Sequence, residues 1–259
     1  MTQGPAAGPR ASDVDWPVFV VSLPDAVDRR ARILAQCAGL GLRPRIVDAI
    51  DGRGGLPAGL EACVDRERAA ARVGRRLSDA ELACALSHRA VQRRIVEDGL
   101  PGAIVFEDDA ILTEALGPFL RAGGHKAAEF VQMDHMDARI WRGRGLRWSP
   151  EITLHPLAAN ASLATGYALS AAGARHVLAH STPVAGLADW PCDMTALDGV
   201  VTWPRLVDHP PPDPDASAIE GGRRALVAAV PPARGRAWRF FRTGYWARWW
   251  FKRRTRKIS

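Results

Sequence analysis

Short unbroken apolar runs alternate with stretches of helical spacing along this chain. Val18-Phe19-Val20-Val21-Ser22-Leu23 follows Trp16-Pro17 and stops at Pro24-Asp25, the pattern of a strand buried on both faces. Ile33, Leu34, Cys37 and Leu40 recur at helical spacing and predict a helix from about Val27 to Leu40, ended by Gly39 and Gly41. Residues 43–50 read as a second strand, and Asp51-Gly52-Arg53-Gly54-Gly55 as a loop. Residues 56–76 are charged and weakly helical. Ser78-Asp79-Ala80-Glu81 is a capping box opening a helix expected to run to Glu97. Further strands are expected at 103–107, 130–134, 161–170 and 200–207, with two β-like runs in 137–156. Short helices are expected at 114–122 and after Ser170, and a turn leading into a helix at 188–193. A β-α-β opening followed by further α-β pairs makes this one α/β domain with a mostly parallel sheet.

One run changes the picture from fold to chemistry. Ala103-Ile104-Val105-Phe106 leads straight into Glu107-Asp108-Asp109. Ionised groups left unpaired in a core cost several kcal/mol, so the acids belong at the strand's C-terminal end. In an open α/β sheet that edge binds ligands. Three adjacent carboxylates repel one another unless a cation holds them, and hard oxygen ligands suit Mg²⁺ or Mn²⁺. A solvated acidic turn is the competing reading. Strand alternation would put Glu107 and Asp109 on one side. The loop after the first strand lacks G-x-G-x-x-G, which speaks against dinucleotide-dependent hydride transfer.

Composition is that of a globular protein, with 47% hydrophobic and 24% charged residues in 259, enough for a substantial core. No run of about 18 or more apolar residues exists to make a membrane-spanning helix. Residues 1–15 lack a secretory signal's apolar stretch and read as a flexible leader. Cys37, Cys63, Cys84 and Cys192 lack metal-type spacing and are expected as free thiols in a reducing cytoplasm. The net charge of +7 is concentrated at one end: residues 234–259 hold ten Lys/Arg and no acid, leaving the rest near −3. That segment interleaves its cations with aromatics. Trp238, Phe241, Tyr245 and Trp249 follow helical spacing, and Lys252 and Arg253 flank them. An anchor on an anionic membrane surface is the favoured reading, ahead of nucleic-acid binding or a disordered tail. The expected organisation is a leader (1–15), a catalytic domain (16–220), and a linker with a membrane-surface tail (221–259).

Five separated fragments then resemble one family in order. Phe19 to Leu23 followed by Asp28-Arg29-Arg30 resembles its opening strand and D-R-R. Val47-Asp48-Ala49-Ile50-Asp51-Gly52 resembles its x-A-x-D-G. Leu77-Ser78 with Ala83-Cys84-Ala85-Leu86-Ser87-His88 resembles L-S…G-C-x-x-S-H. Ile104 to Asp109 resembles its hydrophobic-E-D-D, and Thr165 to Ala174 its G-Y-x-x-S-x-x-G-A. The family is glycosyltransferase family 25, which includes bacterial lipopolysaccharide and lipooligosaccharide sugar transferases and collagen galactosyltransferases. The resemblance implies a GT-A-type, Rossmann-like nucleotide-diphospho-sugar fold and a divalent metal. It also implies inverting transfer of a sugar, typically galactose, from a UDP donor to a glycolipid or oligosaccharide acceptor. The chain departs from the pattern at Ser22 (usually Asn), Ala83 (usually Gly) and Ala172 (often Lys), which would alter donor contacts.

On this basis Glu107, Asp109 and His209 are the expected metal ligands, for Mn²⁺ or Mg²⁺. Donor contacts are expected from Leu23, Arg29, Arg30, Asp48, Asp51, Gly52, Ser87, His88, Glu107 and Asp108. An Asx turn is the rival reading at Asp51 and Asp48. The base that takes the acceptor's proton is expected at Asp189, with Asp193 and Asp134 in reserve. The protein is expected in the cytoplasm, on the inner face of the membrane; the alternative is a non-catalytic protein of this fold, or one that binds nucleic acid through its basic C-terminal tail, a less favoured partner. A nucleotidyltransferase also uses clustered acids, but no Gly-rich triphosphate loop is present.

Overall fold

A computed structural model describes residues 14–211 and 245–259. The first half follows the alternation closely: β1 (Val18–Ser22), α1 (Val27–Gly39), β2 (Pro44–Asp48), α2 (Arg66–Val73), α3 (Asp79–Glu97) and β3 (Gly102–Glu107). The second half is more broken: β4 (Ile111–Leu112), α4 (Leu116–Arg121), β5 (Phe130–Gln132), β6 (Ala138–Trp141), β7 (Leu146–Arg147), β8 (Thr153–Pro156), β9 (Gly166–Ser170), α5 (Ala171–His180), β10 (Val200–Trp203) and β11 (Val207–Asp208). At the C-terminus come α6 (Tyr245–Arg254) and β12 (Thr255–Ile258).

Eight strands form one sheet in the order β2-β1-β3-β9-β5-β10-β8-β7. β1 pairs in parallel with both β2 and β3, and β5 with β10, while β9 and β8 run against their neighbours. The result is a mixed sheet in which most strands share one direction, matching the expected Rossmann-like α/β class. Burial on both faces explains the apolar runs. Phe19 and Val21 of β1 join Val91 and Ile95 of α3 in one core, while Val18 and Val20 join Ile33 and Cys37 of α1 in the other. Each such side chain contributes about 1.5–3 kcal/mol.

The sequence-predicted run 161–170 is shorter in the structure. β9 begins at Gly166, where a Cβ would come within 2.7 Å of the Val207 side chain. The run 200–207 is two strands. A cis Trp203–Pro204 bond separates β10 from β11, and β11 leaves the sheet to pair with β4. Residues 137–156 hold three strands, not two.

The chain's end, read from composition as a surface tail, is a strand of this fold. β12 pairs antiparallel with β6, from Thr255 opposite Trp141 to Ile258 opposite Ala138. Ile258 enters the core, and the Phe251 ring meets the Trp141 ring edge-on at 5.8 Å. Trp249, Lys252 and Arg253 of the expected membrane stripe are exposed or at the edge of exposure. Trp238, Phe241 and the Tyr245 side chain lie outside the described residues, as does the leader up to residue 13. Among the described residues no helix is long and apolar enough to cross a membrane.

Candidate functional site

Parallel register brings three strand ends together. Ser22 stands beside Asp48, and Val21 beside Glu107, so the C-terminal ends of β1, β2 and β3 share one sheet edge. A cleft of about 580 Å³ opens there. It is lined by Leu23, Arg29, Asp51, Gly52, Ser87 and His88 among the expected residues, and by all three acids, Glu107, Asp108 and Asp109.

The acids are not equivalent. β3 ends at Glu107, and Asp108 and Asp109 form a turn, with the Ala110 N–H donating to the Glu107 carbonyl. Strand alternation therefore does not reach Asp109, because the chain has already left the sheet. Asp108 is buried. It accepts a 2.5 Å hydrogen bond from the Ser22 hydroxyl and pairs with Arg29 at 3.4 Å. Ser22, where the family usually has Asn, is thus a linchpin of the site. Burial raises the Asp108 pKa despite these partners. Asp109 is less well served. Its Oδ1 is buried without a hydrogen-bond partner, and burial with the neighbouring Glu107 and Asp108 charges pushes its pKa up to about 7. An orphaned carboxylate oxygen beside two other acids is a fit for a hard divalent cation.

Glu107 also reaches α3. His88 Nε2 lies 2.9 Å from Glu107 Oε1, and His88 Nδ1 lies 3.0 Å from the Tyr167 hydroxyl. Cys84, one turn before His88, places its sulfur 4.0 Å from the same Glu107 oxygen. Sequence reasoning quoted Cys84 only as part of a motif. The signal available was its i, i+4 spacing from His88, which puts both on one helix face.

Several expected donor contacts turn out to hold the frame. Arg30 donates to the Ser22 carbonyl at 2.9 Å and to Asp48 at 2.5 Å, and neither Arg30 nor Asp48 lines the cleft. A second arginine does: Arg32, one helical turn from Arg29 on α1, which sequence reasoning missed. Ser87 accepts from the Ile50 N–H and donates to the Ala83 carbonyl, tying the β2 exit loop to α3. Asp51 accepts from the Arg53 N–H in an Asx turn and from its guanidinium, which hold the Asp51 pKa down to about 2. Gly52 is pressed against the start of α3. A Cβ there would lie 2.6 Å from the Asp79 carbonyl carbon and 2.7 Å from the Ala80 Cα, and backbone cannot swing aside.

The remaining expectations divide. His209, the expected third ligand, pairs with another acid in this structure. Its Nδ1 lies 3.0 Å from Asp134 Oδ2, in a group with Asp208 and Arg205, because β11 carries it towards the end of β5. Pro210 and Pro211, just beyond it, line the cleft. Asp134 is fully buried: its Oδ2 meets His209, while its Oδ1 has no hydrogen-bond partner and lies 3.7 Å from the Arg205 guanidinium. Asp193 is exposed and caps a 3-10 turn, accepting from the Thr195 N–H and hydroxyl, so it is a structural cap. Asp189 is half-buried, and its charge acts on the Cys84 thiol. The next residue, Trp190, is held at φ 66, and its buried ring meets Phe130 and Tyr167 edge-on. A bulky residue at positive φ is strained backbone of the kind that marks functional segments.

Comparison with known proteins identifies the family. A family model described as glycosyltransferase family 25 (LPS biosynthesis protein) matches residues 15–196, which include every cleft residue from Leu23 to Asp109. A Bos taurus protein named "Probable inactive glycosyltransferase 25 family member 3" is 36% identical over 100 residues, covering 36% of this chain and 16% of that one. The Homo sapiens "Inactive glycosyltransferase 25 family member 3" is 36% identical over 95 residues, with the same shares. The similarity thus spans about a sixth of the length of these curated relatives, whose names declare them inactive. With the family model spanning most of the α/β domain, this chain belongs to glycosyltransferase family 25.

Proposed function

We propose that the cleft binds a nucleotide-diphospho-sugar with a divalent cation and transfers the sugar to an acceptor hydroxyl. The observation that carries this is Asp109 Oδ1, a buried carboxylate oxygen with no partner at the end of β3. Asp79 and Asp134 also have an Oδ1 without a hydrogen-bond partner, but each has an arginine within 4 Å of it, whereas the strongest charges on Asp109 are the acids Glu107 and Asp108. Asp109 and Glu107 would hold Mn²⁺ or Mg²⁺, which as a Lewis acid supplies neutralisation of the charge on the departing diphosphate. The protein's own groups do the rest. Arg29 and Arg32 present guanidinium groups suited to phosphate oxygens. Asp108, clamped by Ser22, fixes Arg29 for that contact. The 49–52 loop, held by Ser87 and Gly52, forms the wall where a base and ribose would lie. Asp189, half-buried and acting by its charge on the cleft residue Cys84, would take the acceptor proton.

The donor is expected to be a UDP-sugar, with galactose the family's usual sugar and inversion its usual outcome. Release of UDP from UDP-galactose or UDP-glucose tests this. We expect release that needs Mn²⁺ or Mg²⁺, and about a 100-fold fall in Asp189→Asn with donor affinity kept. Undiminished release in excess chelator would remove the metal from the proposal, and wild-type rates in Asp189→Asn would remove the base.

The acceptor is proposed to be a glycolipid or cell-envelope oligosaccharide (lipopolysaccharide or lipooligosaccharide), met on the inner face of the cytoplasmic membrane. Support comes from α6 and β12. Trp250 is 54% exposed, Arg253 and Arg254 lie over the Trp249 and Trp250 rings, and the segment carries no acid. Aromatics at headgroup level with Lys/Arg beside them suit an anionic lipid surface, each cation adding about 1 kcal/mol. Replacing Trp249, Trp250, Lys252 and Arg253 together by Ser should abolish co-flotation with anionic vesicles and leave neutral vesicles unaffected. Equal flotation of the variant and wild type would refute the membrane role.

A further inference from the structure

The inner wall of the cleft carries a second constellation, chemically distinct from the oxygen-only group at Asp109. We infer that Cys84, His88 and Glu107 form a binding site for a soft or borderline divalent cation, Zn²⁺ above all. The site would exclude the hard-metal function of the cleft while occupied.

The ligand set comes first. Thiolate, imidazole and carboxylate are the three side chains zinc takes, and three protein ligands leave a fourth position open. Their donor atoms all lie within 4.8 Å of one another. Cys84 and His88 project from one face of α3, a helix of 19 residues fixed at its start by a full capping box. Glu107 meets them from the end of β3. All three line the cleft, so an ion has a way in.

The surroundings favour a cation. Glu107, Asp189 and Asp109 set a negative field at Cys84. The same field attracts a divalent ion. His88 also has the support that metal-bound histidines have, a hydrogen-bond partner for its second nitrogen in the Tyr167 hydroxyl. With the proton on His88 Nδ1, the ring donates to the Tyr167 oxygen, and its Nε2 lone pair, 2.9 Å from Glu107, is left for the ion. Binding in this tautomer releases one proton, from the Cys84 thiol, to solvent.

The selectivity follows from ligand softness. Mn²⁺ and Mg²⁺ prefer the oxygens at Asp109, while sulfur and nitrogen select Zn²⁺ or Co²⁺. Glu107 belongs to both sets, so the two ions compete for it. The zinc site itself rests on these three side chains and stands whether or not the cleft transfers a sugar.

Cobalt titration of the full-length, metal-free chain tests this without any turnover assay. Co²⁺ should bind at one equivalent with an intense sulfur-to-cobalt charge-transfer band, displaced by one equivalent of Zn²⁺ and not by Mn²⁺. Cys84→Ser should abolish the band and weaken Zn²⁺ binding at least tenfold, while Asp109→Asn retains both. Alkylation of the wild-type chain provides a check independent of that variant's folding: Zn²⁺ should protect the Cys84-containing peptide and not those of Cys37, Cys63 or Cys192. A missing charge-transfer band, a band that survives Cys84→Ser, or unprotected Cys84 would overturn the inference.

Discussion

Asp109→Asn should lower the catalytic rate about 1000-fold or more and at the same time raise the melting temperature above pH 8. Loss of activity follows from loss of a metal oxygen, since a bound cation's charge stabilisation is worth several kcal/mol, and every 1.36 kcal/mol is tenfold. The stability gain comes from the same atom. A carboxylate whose folded pKa lies near 7, against an ordinary 3.8, carries a folding penalty that grows as pH rises from the lower value through the higher. The neutral amide removes that penalty. At pH 5, where folded Asp109 is already protonated, the difference should shrink. A gain of about 1 kcal/mol corresponds to roughly 2–4 °C in a domain of this size. Thermal melts of both proteins at pH 5 and pH 8.5, without metal, measure it. A variant less stable than wild type at pH 8.5 would mean that Asp109 is a structural acid, satisfied within the fold.

Glu81→Ala should cost about 3 kcal/mol of stability, a fall of roughly 6–12 °C in melting temperature. Glu81 is 2% exposed and does two jobs. Its carboxylate accepts from the Ser78 N–H at 2.9 Å, closing the capping box of α3. It also holds Arg75 through two contacts of 2.8 and 2.5 Å. Alanine removes the carboxylate that a helix amide and a half-buried guanidinium share, leaving Arg75 the Arg76 carbonyl but no counter-charge from Glu81, the situation in which a buried ion pair is expensive to break. The consequence reaches the cleft. Asp79 and Ala80, in the first turn of α3, are the residues against which Gly52 is pressed, and Cys84 and His88 lie one and two turns further on. Glu81→Gln, which keeps the amide's acceptor but not the charge, should lose about 1 kcal/mol. Chemical denaturation of the three proteins checks the order. A Glu81→Ala midpoint within experimental scatter of wild type would show that Arg75 and Ser78 find other acceptors.

These two residues show what could be read along the chain. The capping box Ser78–Glu81 and the helix end at Glu97 were legible because cap and periodicity are local. The Arg75 clamp was not, because nothing in spacing distinguishes it from the neighbouring Arg76. β1, α1, β2 and β3 were legible because strands buried on both faces are continuous apolar runs. The insertion of β9 between β3 and β5 was not, since sheet order is set by long-range pairing. β12 was hidden by its charge. Thr255-Arg256-Lys257-Ile258 reads as basic tail, while backbone pairing with β6 needs only Thr255 and Ile258 to face inward.

The candidate site follows the same division. That the three acids sit at a ligand edge could be derived from burial cost alone. Which acid is satisfied could not, because it depends on Ser22 and Arg29 reaching Asp108 while nothing reaches Asp109 Oδ1. Alternation put Glu107 and Asp109 on one side; the chain leaves the strand at Glu107, yet the Glu107 charge still acts on Asp109 across the turn, and Glu107 meets His88 as well. Among the arginines, helical geometry separates Arg29 and Arg32, which line the cleft, from Arg30, which braces Ser22 and Asp48.

The inactive relatives make the central question whether this cleft still holds a donor. Titration calorimetry of UDP-galactose into the full-length protein, with Mn²⁺, with chelator, and with Asp109→Asn, answers it directly. The geometry predicts binding that depends on Mn²⁺ and disappears in Asp109→Asn. Binding of equal strength in all three titrations, or no binding of any nucleotide-sugar in the presence of Mn²⁺, would contradict it.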